Sequence, residues 1–120
     1  MSIAGLVQHL RWAEHCWFEV LFLNQGAELN PQFGDGPDDA DMLADGVALT
    51  ELLDSYEQQC ATSNATIAGH SLDDIGQHPD FTSAAASLRW MILHMIEETA
   101  RHIGHIDIIR ELLDGNKGYY

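Results

Sequence analysis

Apolar residues recur every three or four positions along three long segments of this chain, and alternation typical of β-strands never extends beyond a few residues. This spacing places the apolar side chains of each segment on one face of a helix. The predicted helix limits, in chain order, are 3–24, then Asp39 or Asp41 to Cys60 or Ile67, and then Thr82 or Ser83 to Asp114. Three long helices joined by polar connectors favour an all-α, up-and-down helix bundle.

Length and charge narrow the class of protein further. The 120 residues suit one domain spanning 1–120, and 46% hydrophobic residues are too many for a disordered acidic chain. The formal net charge is −14, which repels phosphate backbones and anionic lipid headgroups, so nucleic acid and membrane partners are excluded. No targeting segment or membrane span is visible, and two cysteines at apolar helical positions make a poor disulfide framework, which favours a cytoplasmic protein.

The third segment carries ionisable residues on its apolar side. At roughly 100° per residue, His94, Glu98, His102 and His105 all fall within the arc of apolar side chains. An ionised carboxylate facing a core costs several kcal/mol unless it is paired or coordinates a metal. The pattern therefore indicates either a buried ion pair or a metal site.

A histidine of the first segment completes a set of three candidate metal ligands. His9 lies among apolar residues, with the small Ala13 one turn further on. Glu98 and His102 are spaced i, i+4 and stack on one helix face. Two imidazoles and one carboxylate suit zinc or a similar divalent ion, with one coordination position left open. The competing interpretation is a metal-free Glu98–His102 ion pair, with His105 bonded to the backbone.

The remaining polar residues are predicted to be solvated or to form surface ion pairs. Arg101 is predicted to pair with Glu97 or another exposed acid, and the aspartates within 35–45 lack calcium-loop spacing and are taken as solvated. Three further histidines are predicted to be solvated residues of a polar face or of loops: His15, His70 and His78.

Three stretches of the chain resemble a known family. They are GLVQHLRWAE at 5–14, SLDD at 71–74 and LRWMILHMIEETARHIGHID at 88–107. Together they are similar to the DinB/YfiT-like superfamily and, within it, to the mini-circle protein branch. The resemblance covers nearly the whole chain and implies a four-helix bundle that holds a metal with three side chains.

The resemblance also implies a ligand set and a chemistry. The pattern is similar to that of mycothiol-dependent maleylpyruvate isomerase, in which a glutamate replaces one histidine, and it implies His9, Glu98 and His102 as metal ligands. Zinc is the expected ion, with nickel or another divalent metal as alternatives. The implied activity is that of a low-molecular-weight-thiol S-transferase or isomerase using a metal-activated thiolate. His94 and His105 are candidates for pocket residues or proton carriers around the metal.

The chain departs from the family pattern at its start. Family members carry a helix before the one with the first histidine, whereas this sequence begins where that helix would end, which leaves three main helices. Exposing the groove of an absent helix costs ~25 cal/mol per Å², so we expect a homodimer to complete the bundle. The alternative to an enzyme is a non-catalytic metal- or ligand-binding bundle, or a structural dimer whose polar stripe fixes helix register.

Overall fold

Helix α1 is the central element of the computed structural model, which describes residues 1–79 and 85–118. The helices are α1 at Ile3–His15, α2 at Leu49–Ala68 and α3 at Leu88–Asp114, with a π-helical turn at Cys16–Leu21 continuing α1. Within the described residues the only β-type pairing is an isolated bridge between Ile75 and Ser87. The all-helical fold class predicted from the sequence is confirmed.

Serine side chains start two of these helices. The Ser2 hydroxyl accepts a hydrogen bond from the Gly5 amide at 3.0 Å, which confirms the predicted N-cap of α1. Ser87 caps α3 in the same way, whereas the predicted starts of the third helix, Thr82 and Ser83, lie outside the described residues. Helix α3 ends as predicted, because Gly115 adopts a left-handed conformation at φ 73°.

The prediction of one regular helix over 3–24 is only partly correct. The chain leaves α-helical geometry after His15 and forms a π-helix, in which the Phe22 amide bonds to the Trp17 carbonyl at 3.1 Å. Such i→i+5 hydrogen bonds fit more residues into each turn than an α-helix does. The side chains beyond His15 are therefore rotated away from the positions that a regular α-helix predicts.

The second helix begins later than predicted. Instead of starting at Asp39 or Asp41 it starts at Leu49, and the preceding loop contains three short 3-10 turns. Asp41 is buried against α1, and Gly46 has φ +77°, which no regular helix accommodates. The end of α2 at Ala68 agrees with the longer of the two predicted limits.

The two ends of α3 have different surroundings. Met91 and Met95 are buried in the main core against α1, while Leu112 is 82% exposed at the far end of α3. The prediction that the apolar arc of α3 faces the core is therefore wrong for its last turn, where Leu112 and Leu113 are both exposed. The main buried cluster comprises Ala13, Cys16, Phe18, Leu21, Phe22, Ala86, Leu88, Met91 and Met95.

An apolar groove runs between α2 and α3. It has a volume of about 460 Å³, and Glu14 of α1 and Phe18 of the π-helical turn also line it. The side chains that line this open groove are Glu14, Phe18, Tyr56, Asn64, Ile67, Ile92, Met95, Ile96, Thr99, Ala100 and Ile103.

Among the described helices, none has the length and apolar character that crossing a membrane would require.

Candidate metal centre

Three side chains converge where α1 faces α3. The Nε2 atom of His9 lies 3.0 Å from Oε1 of Glu98, and Nε2 of His102 lies 2.9 Å from the same oxygen. One ligand atom from each residue falls within 4.8 Å of the other two. The structure therefore brings together the three residues that the sequence singled out.

Local helix geometry places these groups. Glu98 and His102 are one turn apart on α3, so their side chains project from the same face. His9 approaches from α1, and its ring meets the His102 ring edge-on, with the centroids 4.6 Å apart. Both imidazoles thus present Nε2 to one carboxylate oxygen.

A carboxylate from the loop between α1 and α2 lies behind His9. Oδ2 of Asp41 is 2.6 Å from Nδ1 of His9, and the Gln32 amide donates to the same oxygen at 2.6 Å. Gly5 makes this approach possible, because a Cβ atom there would lie 2.8 Å from the Met42 carbonyl oxygen. The absence of a side chain on Gly5 therefore lets the loop pack directly on α1.

The other two ligand residues also have partners of their own. Nδ1 of His102 lies 3.3 Å from Nδ1 of His105, and Arg101 donates to Oε2 of Glu98 at 2.6 Å. The prediction that Arg101 pairs with Glu97 or another exposed acid is wrong, because Glu98 on the inner side is its partner. Side-chain contacts thus orient all three candidate ligands.

The charge state of the centre follows from these contacts. Burial opposes ionisation of Glu98, but hydrogen bonds from His9, His102 and Arg101 outweigh it and lower the pKa of Glu98 to about 2. Burial also lowers the pKa of His102, although its hydrogen bond to Glu98 opposes that shift. An ionised carboxylate and a neutral imidazole are the forms that bind a metal ion.

The donor set fits a divalent ion. Ligand atoms in a tetrahedral zinc site lie roughly 3.4 Å apart, and the two nitrogen–oxygen distances of 2.9 and 3.0 Å are slightly shorter. Each nitrogen–oxygen contact requires either a proton on the nitrogen or a cation between the atoms. A small outward movement of the side chains would accommodate an ion held by His9, Glu98 and His102.

The two additional candidate histidines occupy different places. His94 contacts the rings of Trp17 and Trp90, with centroids 4.3 and 5.3 Å away, and is outside the three-residue cluster. It lines a cavity of about 320 Å³ together with Glu97, Glu98 and Arg101. His105 contacts His102 instead, and the two rings meet edge to face with their centroids 5.3 Å apart.

The prediction that His15 is solvated is wrong. Only 4% of it is exposed, and the Asn30 amide donates to its Nδ1 at 3.1 Å and to the Trp12 carbonyl at 3.1 Å. Burial lowers the pKa of His15, a shift that Glu19 partly offsets. The loop after α1 folds back over a face that the helical wheel alone leaves in solvent. His70 is exposed, as predicted.

Asp41 is the residue of the candidate site that the sequence did not reveal. The sequence predicts it to be solvated like the other aspartates within 35–45, yet it is 4% exposed and contacts a candidate ligand. Its neighbours Asp38, Asp39 and Asp45 are all exposed. Residue type cannot separate one aspartate from the others, and no local spacing marks Asp41.

Comparison with known proteins settles the family. The sequence profile of the family described as mycothiol S-transferase matches residues 1–115. The chain belongs to the mycothiol S-transferase family. This membership confirms the resemblance to the DinB/YfiT-like superfamily. The searches of curated proteins and of solved structures gave no significant match.

Proposed function

We propose that this mycothiol S-transferase family member binds one divalent metal ion, zinc most readily, through His9, Glu98 and His102, and uses the centre to transfer a low-molecular-weight thiol. The observation that carries the proposal is the convergence of three ligand atoms within 4.8 Å in a chain of this family. Three protein ligands leave a position open for a reactant.

The residues of the centre suit thiol chemistry. A bound divalent ion would supply the positive charge that favours a thiolate over a thiol at neutral pH. Glu98 contributes one negative charge, and the imidazoles of His9 and His102 bind in their neutral forms. In the proposed transfer, the thiol sulfur forms a bond to an electrophilic carbon, the leaving group departs with its bonding electron pair, and the thiol proton ends on that group. An isomerase would use the same nucleophile transiently.

The cavity beside Glu98 is the proposed place for the reactants. Its lining by His94, Glu97, Glu98 and Arg101 offers charged and polar groups to a small polar molecule. Ring contacts with Trp17 and Trp90 hold the His94 ring in place at the cavity wall. His94 is therefore the proposed proton carrier, whereas the contact between His105 and His102 favours an orienting role for His105.

One observation favours a second candidate function. Glu98 already accepts hydrogen bonds from His9, His102 and Arg101, so the polar cluster is satisfied by protein groups alone. A non-catalytic bundle, in which this cluster fixes helix register or holds a metal without turnover, would need nothing more. Protein that binds a metal but transfers no thiol would match this candidate.

We further propose that a second copy of the chain covers the open groove. Ile96 and Ile103 on the groove wall are 59 and 56% exposed, and removing such side chains from water is favourable. A cytoplasmic location is proposed because Cys16 and Cys60 are both free thiols.

Elemental analysis of protein purified without a metal-affinity tag tests the metal centre. We expect about one divalent ion per chain in the wild type and loss of that ion in both Glu98→Ala and His102→Ala. His70→Ala, a substitution of an exposed histidine, is the matched control and should keep the ion. Equal trace metal in all four proteins would show that the metal proposal is wrong.

A further inference from the structure

The loop between α1 and α2 places two polar side chains in series behind His9. The Gln32 side-chain amide donates to Oδ2 of Asp41 at 2.6 Å, and that oxygen lies 2.6 Å from Nδ1 of His9. Asp41 is 4% exposed, so water has little access to this contact. Gln32 and Asp41 therefore form a chain of hydrogen bonds that ends on one candidate ligand.

This arrangement determines which nitrogen of His9 would keep its proton when an ion binds. An ionised carboxylate only accepts hydrogen bonds, so the Nδ1–H group of His9 donates to Asp41. An ion bound at the centre would replace the proton through which Nε2 of His9 bonds to Glu98 at 3.0 Å, and the Nε2 lone pair would then face the ion. A carboxylate behind a ligand histidine fixes the ring and strengthens its donor nitrogen.

We propose that Asp41 is a positioning residue of the metal centre and that Gln32 holds Asp41 in place. The inference rests on the proposed metal site and extends it to a loop outside the three ligand residues. It assigns the loop a specific task, which is to present Nε2 of His9 to the ion in one tautomer and one orientation.

The two histidines of the centre are not equivalent in this respect. His102 is backed by the imidazole of His105 at 3.3 Å, whereas His9 is backed by a buried carboxylate at 2.6 Å. A carboxylate stabilises the donating N–H group more strongly than a neutral imidazole does. Substitutions of Gln32 or Asp41 in the loop should therefore affect how His9 binds the ion, and not how His102 does.

Zinc affinity, measured by competition with a chelator, tests the proposal. We expect Asp41→Ala to weaken zinc binding by about 10- to 100-fold, because outer carboxylates of metal-bound histidines have effects of this size. Gln32→Ala should weaken it by less than about 10-fold, since Asp41 remains. Asp39→Ala changes an exposed aspartate of the same loop and should bind zinc as the wild type does.

A nuclear magnetic resonance signal separates positioning from a general effect on folding. In the zinc-loaded wild type, the His9 Nδ1–H proton should be protected from exchange and shifted downfield by Asp41. The signal should persist in Gln32→Ala and disappear in Asp41→Ala. A folded Asp41→Ala protein with wild-type zinc affinity and an unchanged signal would overturn the inference.

Two further results remain informative. If Asp41→Ala fails to fold, the isosteric Asp41→Asn replaces it, and wild-type zinc affinity in both Asp41→Asn and Gln32→Ala overturns the inference. A wild-type protein that binds no zinc would instead refute the proposed metal centre itself, and the inference would fall with it.

Discussion

The two sides of helix α3 differ in how their unusual residues are accommodated. Toward α1, the ionisable Glu98 and His102 are largely buried, yet each has side-chain partners within hydrogen-bond distance. Toward the open groove, apolar Ile96 and Ile103 are more than half exposed and pack only in part against the rest of the chain. The ionisable groups that face α1 are satisfied within one chain, whereas the apolar groups of the groove remain largely in solvent.

The comparison shows that the two sides can be perturbed separately. The metal side depends on precise contacts between polar atoms, so small displacements should matter there. The groove side depends on apolar area, which is insensitive to small displacements but sensitive to an introduced charge. The substitutions below address the groove first and then the metal side.

The largest effect is expected from a charge in the groove. Ile103→Asp would bury an unpaired carboxylate under the proposed second copy, which costs about 3–5 kcal/mol and weakens association by more than 100-fold. Sedimentation analysis should show a dimer for the wild type and a monomer for this variant.

The matched control is Ile108→Asp. Ile108 is 60% exposed on the same helix but lies outside the groove, and the substitution adds the same charge to an already acidic chain. This variant should remain dimeric. A wild type that sediments as a monomer would contradict the homodimer, and equal dissociation of both variants would assign the effect to net charge.

An intermediate effect is expected from Gly5 on the metal side. In Gly5→Ala the added Cβ would lie 2.8 Å from the Met42 carbonyl oxygen, so the loop carrying Asp41 has to move. Such overpacking lowers the free energy of unfolding by about 1–3 kcal/mol. Urea denaturation would measure the loss, and zinc affinity should fall with it.

Gly104→Ala is the control substitution, and we expect it to change the stability in the opposite direction. Gly104 lies inside α3, and nothing is within 4 Å of the position that its Cβ would occupy. Gly104→Ala should therefore stabilise the protein by up to about 1 kcal/mol through helix propensity. Destabilisation by both substitutions would show that the close approach at Gly5 is not the cause.

The smallest effect is a pH dependence that arises from His15. Because burial lowers its pKa in the folded protein, the unfolded chain takes up the proton first as the pH falls below about 6.5. This stability is complete above that pH and is lost as the pH falls, so the free energy of unfolding should decrease between pH 7.5 and 5.5. His15→Gln should flatten the slope, whereas the exposed His70→Gln should not.

Between pH 7.5 and 5.5, titration of Glu98 does not contribute to the change in the free energy of unfolding. Its pKa is lowered from 4.5 to about 2, so its contribution to stability is complete above pH 4.5 and is lost only at lower pH. His102 contributes to the slope in the same direction as His15, because burial lowers its pKa as well. An unchanged slope in His15→Gln would therefore assign the pH dependence to His102.

Several features of the fold and the site could be predicted from the sequence because they depend on local spacing. The i, i+4 relation between Glu98 and His102 fixes their common face, since a helix repeats every 3.6 residues. The caps at Ser2 and Gly115 likewise depend on the chemistry of single residues. The apolar periodicity of the first segment predicts that His9 faces the core.

Other features were decided only by the tertiary structure. The burial of His15 depends on Asn30, and the buried position of Asp41 depends on the loop reaching Gly5. The conformation of that loop follows from contacts between residues far apart in the chain, and the contacts of Asp41 with His9 and Gln32 offset the cost of burying its carboxylate. Sequence periodicity therefore determined the positions of the three candidate ligands, and the packed loop determined which groups lie behind His9.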